Sequence, residues 1–165
     1  MTVEILLTLS SGILGIFVGA QITEAVLFVP HWKALSADDF FELHKTYGKK
    51  IYQFFAPLTI VATSLPLITV AYSFINQSDN QMLFGLLGLS TAAFFSTYFL
   101  YFKKANKSFA DRSLTNEELP HELKLWGNWH WGRISFELIA FICTLLLLNS
   151  KGDTFHSTLI DKPRS

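Results

Sequence analysis

Side chains that could take part in chemistry are concentrated on one side of the last apolar segment of the chain. Trp126, His130, Arg133, Glu137 and Thr144 follow one another at intervals of 4, 3, 4 and 7 residues. On an α-helix these positions fall within an arc of about 60°. A face that combines an imidazole, a guanidinium and a carboxylate could accept a proton and stabilise the anion that forms.

A second group of polar residues lies in the first apolar segment. Gln21 and Glu24 are i,i+3 neighbours, and Glu24 lies about 8 Å from the end of that segment. Glu137 lies at a similar depth, about 12 Å, in the last segment. Charges inside apolar spans tend to face the bundle interior and often mark function. The sequence therefore predicts one polar pocket, with these candidate members: Gln21, Glu24, His31, His44, His130, Arg133 and Glu137.

Each candidate also has a plainer interpretation. Arg133 and Glu137 could form an i,i+4 ion pair that only lets a polar face enter the bilayer. Glu24 could bond to Gln21 or to a neighbouring helix, and His31 and His44 could be interface residues. Under these interpretations the residues have structural roles and take no part in chemistry.

Metal binding is the third interpretation of these residues. His44, His130, Glu24 and Glu137 could converge from three elements as ligands for zinc, iron or copper. His130 and Glu137 are two turns apart, which does not match the Glu-x-x-His spacing of di-iron bundles. No cofactor is firmly implied, and the sequence leaves a metal or haem open.

The composition excludes several classes of function. Half of the 165 residues are apolar, 16% are charged, and the net charge is zero, so a nucleic-acid partner is not expected. No glycine-rich phosphate loop, nucleophile elbow or Cys-x-x-Cys is present, which disfavours nucleotide and thiol chemistry. The expected partners are the lipid bilayer, a lipophilic small molecule, and a membrane protein or a second copy of the chain.

Four apolar segments are long enough to cross a bilayer: 5–29, 51–75, 82–102 and 129–148. Residues 83–100 contain no charge, whereas a helix of a soluble bundle would show a polar stripe. Between the first two spans, residues 38–50 are typical of an amphipathic helix at the membrane face. The predicted fold is an all-α, integral membrane four-helix bundle over residues 1–150, with a flexible polar tail at 151–165.

Basic residues are unevenly distributed along the chain. The segments 30–50 and 103–133 carry 10 of the 13 lysines and arginines. Cytoplasmic loops are enriched in such residues. We therefore expect loops 1 and 3 to be cytoplasmic, both termini to lie on the opposite side, and the protein to reside in the cytoplasmic (inner) membrane.

An asparagine just beyond the third span, followed by Trp-x-x-x-His-x-x-Arg at the start of the fourth, resembles the anthrone oxygenase-like family of small four-span membrane proteins. The matching residues are Asn106, Trp126, His130 and Arg133, and the layout is similar from about residue 9 to residue 148. Lys104 stands where the family often has a proline. Some fungal members oxidise polyketide anthrones with molecular oxygen, apparently without an organic cofactor.

The resemblance implies roles for individual residues. His130 would be the base or a ligand, Arg133 and Asn106 would stabilise a phenolate or peroxide, and Trp126 would line the pocket. Glu24 would be a further catalytic residue, and Gln21 and Glu137 would lie at the substrate. Glu24 and Glu137 would also orient His130 and Arg133. The implied function is that of an oxidoreductase or oxygenase acting on a lipophilic aromatic substrate. The alternative is a non-catalytic membrane subunit or accessory protein that binds a partner through the polar face.

Overall fold

The computed structural model describes the backbone of residues 2–160 and the side chains of residues 2–150. Within these residues every regular element is helical. The elements are α1 (Thr2–Thr23), a π-helical turn (Glu24–Phe28), α2 (Val29–Ala34), α3 (Ala37–Ile75), α4 (Gln81–Thr97), a second π-helical turn (Tyr98–Phe102), α5 (Lys103–Ala110) and α6 (Leu119–Ile160).

Four continuous helices build the bundle, and each is long and apolar enough to cross a membrane: Thr2–Ala34, Ala37–Ile75, Gln81–Ala110 and Leu119–Ser150. Helix α1 packs against α3 and α6, and α4 packs against the same two helices. Large apolar side chains such as Ile75, Met82 and Leu100 are more than 70% exposed on the outer surface. An outward-facing apolar surface of this kind requires lipid as its solvent, so the chain is an integral membrane protein.

The predicted spans and the observed helices agree in number and position, but the helices are longer. The segment 38–50 is helical, as the sequence predicted, and it continues without a break through Pro57 and Pro66 as the first part of α3. The backbone of α6 continues to Ile160. Residues 161–165, and the side chains of 151–160, lie outside the described residues, so the flexible tail stays a prediction.

Local signals explain where two of the long helices begin. The Ser36 hydroxyl accepts a hydrogen bond from the Asp39 amide at the start of α3. Before α6, the Thr115 hydroxyl accepts from the Glu118 amide while a Glu118 carboxylate oxygen accepts from the Thr115 amide. This reciprocal pair is a capping box, and it satisfies backbone donors that the first helical turn cannot use.

Two apolar cores are stacked along the bundle. The first lies between the spans and includes Leu14, Phe17, Phe84, Leu87 and Phe94. The second lies at one end and joins residues of α2, α3, α5 and α6: Val29, Trp32, Phe40, Phe41, Phe102, Ala105, Phe109, Leu119, Leu123 and Trp126. We call residues 29–50 and 103–129 the cap. Glu24, Gln21 and His130 lie where the bundle core meets the cap.

Candidate functional site

The two π-helical turns flank the site, one on α1 and the other beyond α4. In the first turn, the Val29 amide bonds to the Glu24 carbonyl, five residues back. Pro30 has no N–H to offer the Val26 carbonyl, so regular α-helical bonding cannot continue there. The first turn buries Glu24, which is 5% exposed, together with Ala25, and the second turn buries Phe102 completely. Single π-helical turns occur frequently at functional sites.

His130 is the centre of the contacts between α1 and α6. Its Nε2 lies 3.0 Å from the Gln21 backbone carbonyl and 3.7 Å from a Glu24 carboxylate oxygen. A carbonyl can only accept, so Nε2 carries the proton in this contact. The Trp126 ring stacks on the imidazole, with centroids 4.8 Å apart. The structure therefore brings together Glu24 and His130, two of the candidate members of the polar pocket.

Arg133 is held by one polar group and three aromatic rings. The Gln21 side-chain oxygen accepts hydrogen bonds from Arg133 Nη2 and, at 3.1 Å, from Arg133 Nε. The opposite orientation of the Gln21 amide would place its NH₂ group against these two donors. The guanidinium carbon lies 5.0, 5.3 and 5.9 Å from the ring centroids of Phe102, Phe94 and Phe17. Ring faces attract a cation at such distances, so the charge is stabilised where water is scarce.

Glu137 lies in the interior without a close partner. It is 1% exposed, and neither carboxylate oxygen has a hydrogen-bond partner among the described residues. Arg133 lies one turn away on α6, but among the described residues it forms no ion pair within 4 Å with the Glu137 carboxylate. The i,i+4 ion pair that the spacing allowed is therefore not formed, because the guanidinium bonds to Gln21 instead.

Asn106 reaches the site only through Trp126. The indole Nε1 donates to Asn106 Oδ1 over 2.9 Å, and Asn106 itself lies on the exposed side of α5. Trp126 also packs edge-on against Trp32 and Phe102. In this arrangement Asn106 fixes the rotamer of Trp126, and Trp126 in turn covers one face of His130.

The other two candidate histidines lie elsewhere. His44 belongs to the cap, where its ring stacks on Phe40 at 5.5 Å and meets the edge of Phe109 at 5.7 Å. His31 is exposed on α2. Among the described residues, no group of three histidine, cysteine or carboxylate side chains could hold a metal ion. The mixed ligand set His44, His130, Glu24 and Glu137 is thus not brought together.

A lateral groove between α4 and α6 leads from the outer surface of the bundle to Arg133. Its volume is about 280 Å³, and its walls are mainly apolar: Thr97, Leu125, Asn128, Trp129, Gly132, Arg133 and Phe136. Arg133 is half-buried, and its exposed part forms the floor of this groove. Gly132 lines the groove, and a Cβ added there would meet nothing within 4 Å.

The groove and the aromatic rings around Arg133 were missed by sequence reasoning. Two of the groove residues, Trp129 and Phe136, lie four residues before and three residues after Arg133, so helical spacing is a usable signal for them once Arg133 is known to matter. Phe17 and Phe94 offered no such signal, since the chain contains 16 phenylalanines. No family model, curated protein or solved structure matches this chain. The site must therefore be interpreted from its own geometry and from the motif residues.

Proposed function

We propose that this chain is a membrane oxidoreductase of the oxygenase type, which acts on a lipophilic aromatic substrate dissolved in the bilayer. The observation that supports this most directly is the groove between α4 and α6. It opens on the lipid-facing surface, has walls of Trp129 and Phe136, and ends on Arg133. Apolar pockets with a few convergent polar groups are the usual form of small-molecule sites.

Arg133 suits the anion that such a reaction forms. Gln21 engages Nε and one N–H of Nη2, so Nη1 remains available for a ligand. Removing a proton from an acidic benzylic carbon gives an enolate-like anion, and a guanidinium in an apolar groove stabilises negative charge on its oxygen. The electron-rich carbon then reacts with molecular oxygen. The balanced overall change is from a CH₂ group and O₂ to a carbonyl group and water.

In this proposal His130, which is fully buried and outside the groove lining, is the base for a substrate that has passed Arg133, and Glu24 lies beside it. Since Nε2 donates to the Gln21 carbonyl, Nδ1 is the basic atom of the neutral ring. A proton taken by Nδ1 creates an imidazolium, and the Glu24 carboxylate 3.7 Å from Nε2 stabilises that charge. The resemblance to anthrone oxygenase-like proteins in Asn106, Trp126, His130 and Arg133 favours the same assignment.

Oxygen uptake tests this function. Protein in lipid nanodiscs is given a panel of anthrones and hydroquinones, and oxygen consumption is followed with an electrode. We expect turnover by the wild type and a loss of about 10²-fold or more in His130→Ala. Gly132→Leu should close the groove and abolish turnover. Its matched control is Gly85→Leu on α4, where an added side chain also meets nothing within 4 Å.

Absence of oxygen uptake with every compound would argue for the non-catalytic alternative, a membrane subunit or accessory protein. Equal activity of Gly132→Leu and Gly85→Leu would show that substrate does not enter between α4 and α6. Both glycines lie inside helices, so leucine favours the helical conformation at each position. Helix propensity therefore acts in the same direction in both variants.

We further propose that the cap faces the cytoplasm, with the 76–80 turn on the opposite side of the inner membrane. The supporting observation is the concentration of basic residues in the segments that build the cap. In intact cells, a membrane-impermeant maleimide should label Ser78→Cys and leave Asn116→Cys unlabelled until the cells are opened. The native Cys143 is 2% exposed and should not interfere. The reverse labelling pattern would refute this orientation.

A further inference from the structure

A second groove lies between α1 and α3, at the level where α3 passes from the cap into the bundle. Its volume is about 430 Å³. Its lining is apolar and aromatic with one charged side chain: Ala20, Thr23, Phe28, Lys50, Ile51, Phe54 and Phe55. Neither the sequence motif nor the proposed reaction uses this groove.

The shape of the groove follows from the sizes of its residues. Ala20 is a small side chain on α1, whereas the lining residues Phe28 and Phe54 are large and are 47% and 56% exposed. The Thr23 hydroxyl is already bonded to the Gly19 carbonyl at 2.9 Å, so it requires no further acceptor. The lower part of the groove is therefore an apolar trough between two phenyl rings, open to the hydrocarbon layer.

Lys50 marks the polar end of this trough. Its ammonium group lies 5.3 Å from the centre of the Tyr47 ring, and no carboxylate of the described residues lies within 4 Å of it. From residue 51 to residue 78 the sequence has no charged side chain. Lys50 is thus the last cation before the uncharged part of the span, and among the described residues it has no acidic partner within 4 Å.

We propose that this groove binds one phospholipid with an anionic headgroup from the leaflet that faces the cap. The Lys50 ammonium binds the phosphate, and one acyl chain lies along Ala20 between Phe28 and Phe54. Charge complementarity selects the headgroup, because the groove offers a cation and no carboxylate. The apolar trough supplies the contact area that a bulk lipid would not find on a convex helix surface. This site does not depend on the proposed reaction.

Native mass spectrometry tests the proposal with two matched pairs of variants. Delipidated protein is offered equal amounts of phosphatidylglycerol and phosphatidylcholine. Lys50→Gln should retain about fivefold less phosphatidylglycerol than the wild type, as expected for one interfacial lysine. Lys49→Gln, which removes a neighbouring charge outside the groove, should retain the wild-type amount. Ala20→Leu should fill the trough and reduce retention, whereas Gly19→Leu, with open space around its Cβ, should not.

Three results would overturn the proposal. The first is equal retention by Lys50→Gln and Lys49→Gln, and the second is undiminished retention by Ala20→Leu. The third is retention of phosphatidylcholine as tightly as phosphatidylglycerol. Added phosphatidylglycerol should also raise the melting temperature of the wild type more than that of Lys50→Gln. Inorganic phosphate alone should give no such rise, since it lacks the acyl chain.

Discussion

The bond between Gln21 and Arg133 joins α1 to α6, and its removal gives a quantitative prediction. Gln21→Met keeps the length and helix propensity of the side chain but removes the oxygen that accepts from Nη2 and Nε. A hydrogen bond between membrane helices contributes about 0.6 kcal/mol on average, and a charged donor roughly doubles that value. With two such contacts, we expect a coupling free energy of about 2 kcal/mol between the two side chains.

A double-mutant cycle measures that coupling. Wild type, Gln21→Met, Arg133→Met and the double variant are unfolded reversibly in mixed micelles, with tryptophan fluorescence as the signal. Because the double variant removes both partners of the Gln21–Arg133 bond and leaves neither one unpaired, it should be less destabilised than the two single costs predict. Gln53→Met, an exposed glutamine on α3, should show no coupling to Arg133→Met. Strictly additive costs for Gln21 and Arg133 would refute the assigned contact.

Three further predictions concern single contacts. Thr115→Ala should cost about 1 kcal/mol by removing the cap of α6, visible as faster hydrogen exchange in its first turn. Hydrogen bonds from Thr115 hold the pKa of Glu118 below its usual value, so this cap is intact at neutral pH. The effect of Thr115→Ala should therefore shrink as the pH falls through the lowered pKa of Glu118. Ser10→Ala breaks a 2.9 Å bond to α3 and should destabilise by about 0.6 kcal/mol in mixed micelles. Trp126→Phe removes the indole donor to Asn106, so oxygen uptake should fall although the ring contact with His130 remains.

The long helices could be predicted from the sequence because their physical signals are local. Apolar runs of sufficient length set the four spans, and Ser36 begins α3 as its residue type suggested. The polar face of α6 was predicted from spacing alone. His130, Glu137 and Thr144 on that face are buried, as a polar face inside a membrane bundle must be.

The partners of those side chains could not be predicted, because they depend on how separate helices meet. The spacing of Arg133 and Glu137 suggested an ion pair within one helix, but a glutamine of α1 binds the guanidinium instead. The π-helical turn at Tyr98–Phe102 contains no proline, so the sequence gives no local signal for it. Phe102, the last residue of this turn, contacts the Arg133 guanidinium. Tertiary contacts of this kind leave no periodic trace in a single sequence.

Ligand binding in the groove between α4 and α6 is the central claim, and fluorescence quenching tests it most directly. Trp129 lines this groove, so a bilayer-dissolved hydroxyanthraquinone should quench its emission in nanodiscs until the site is saturated. Trp129→Phe identifies the part of the signal that comes from this residue. We expect saturable quenching in the wild type and in Gly85→Leu, and its loss in Gly132→Leu. Quenching that rises without saturation, and to the same extent in all three proteins, would contradict ligand binding in this groove.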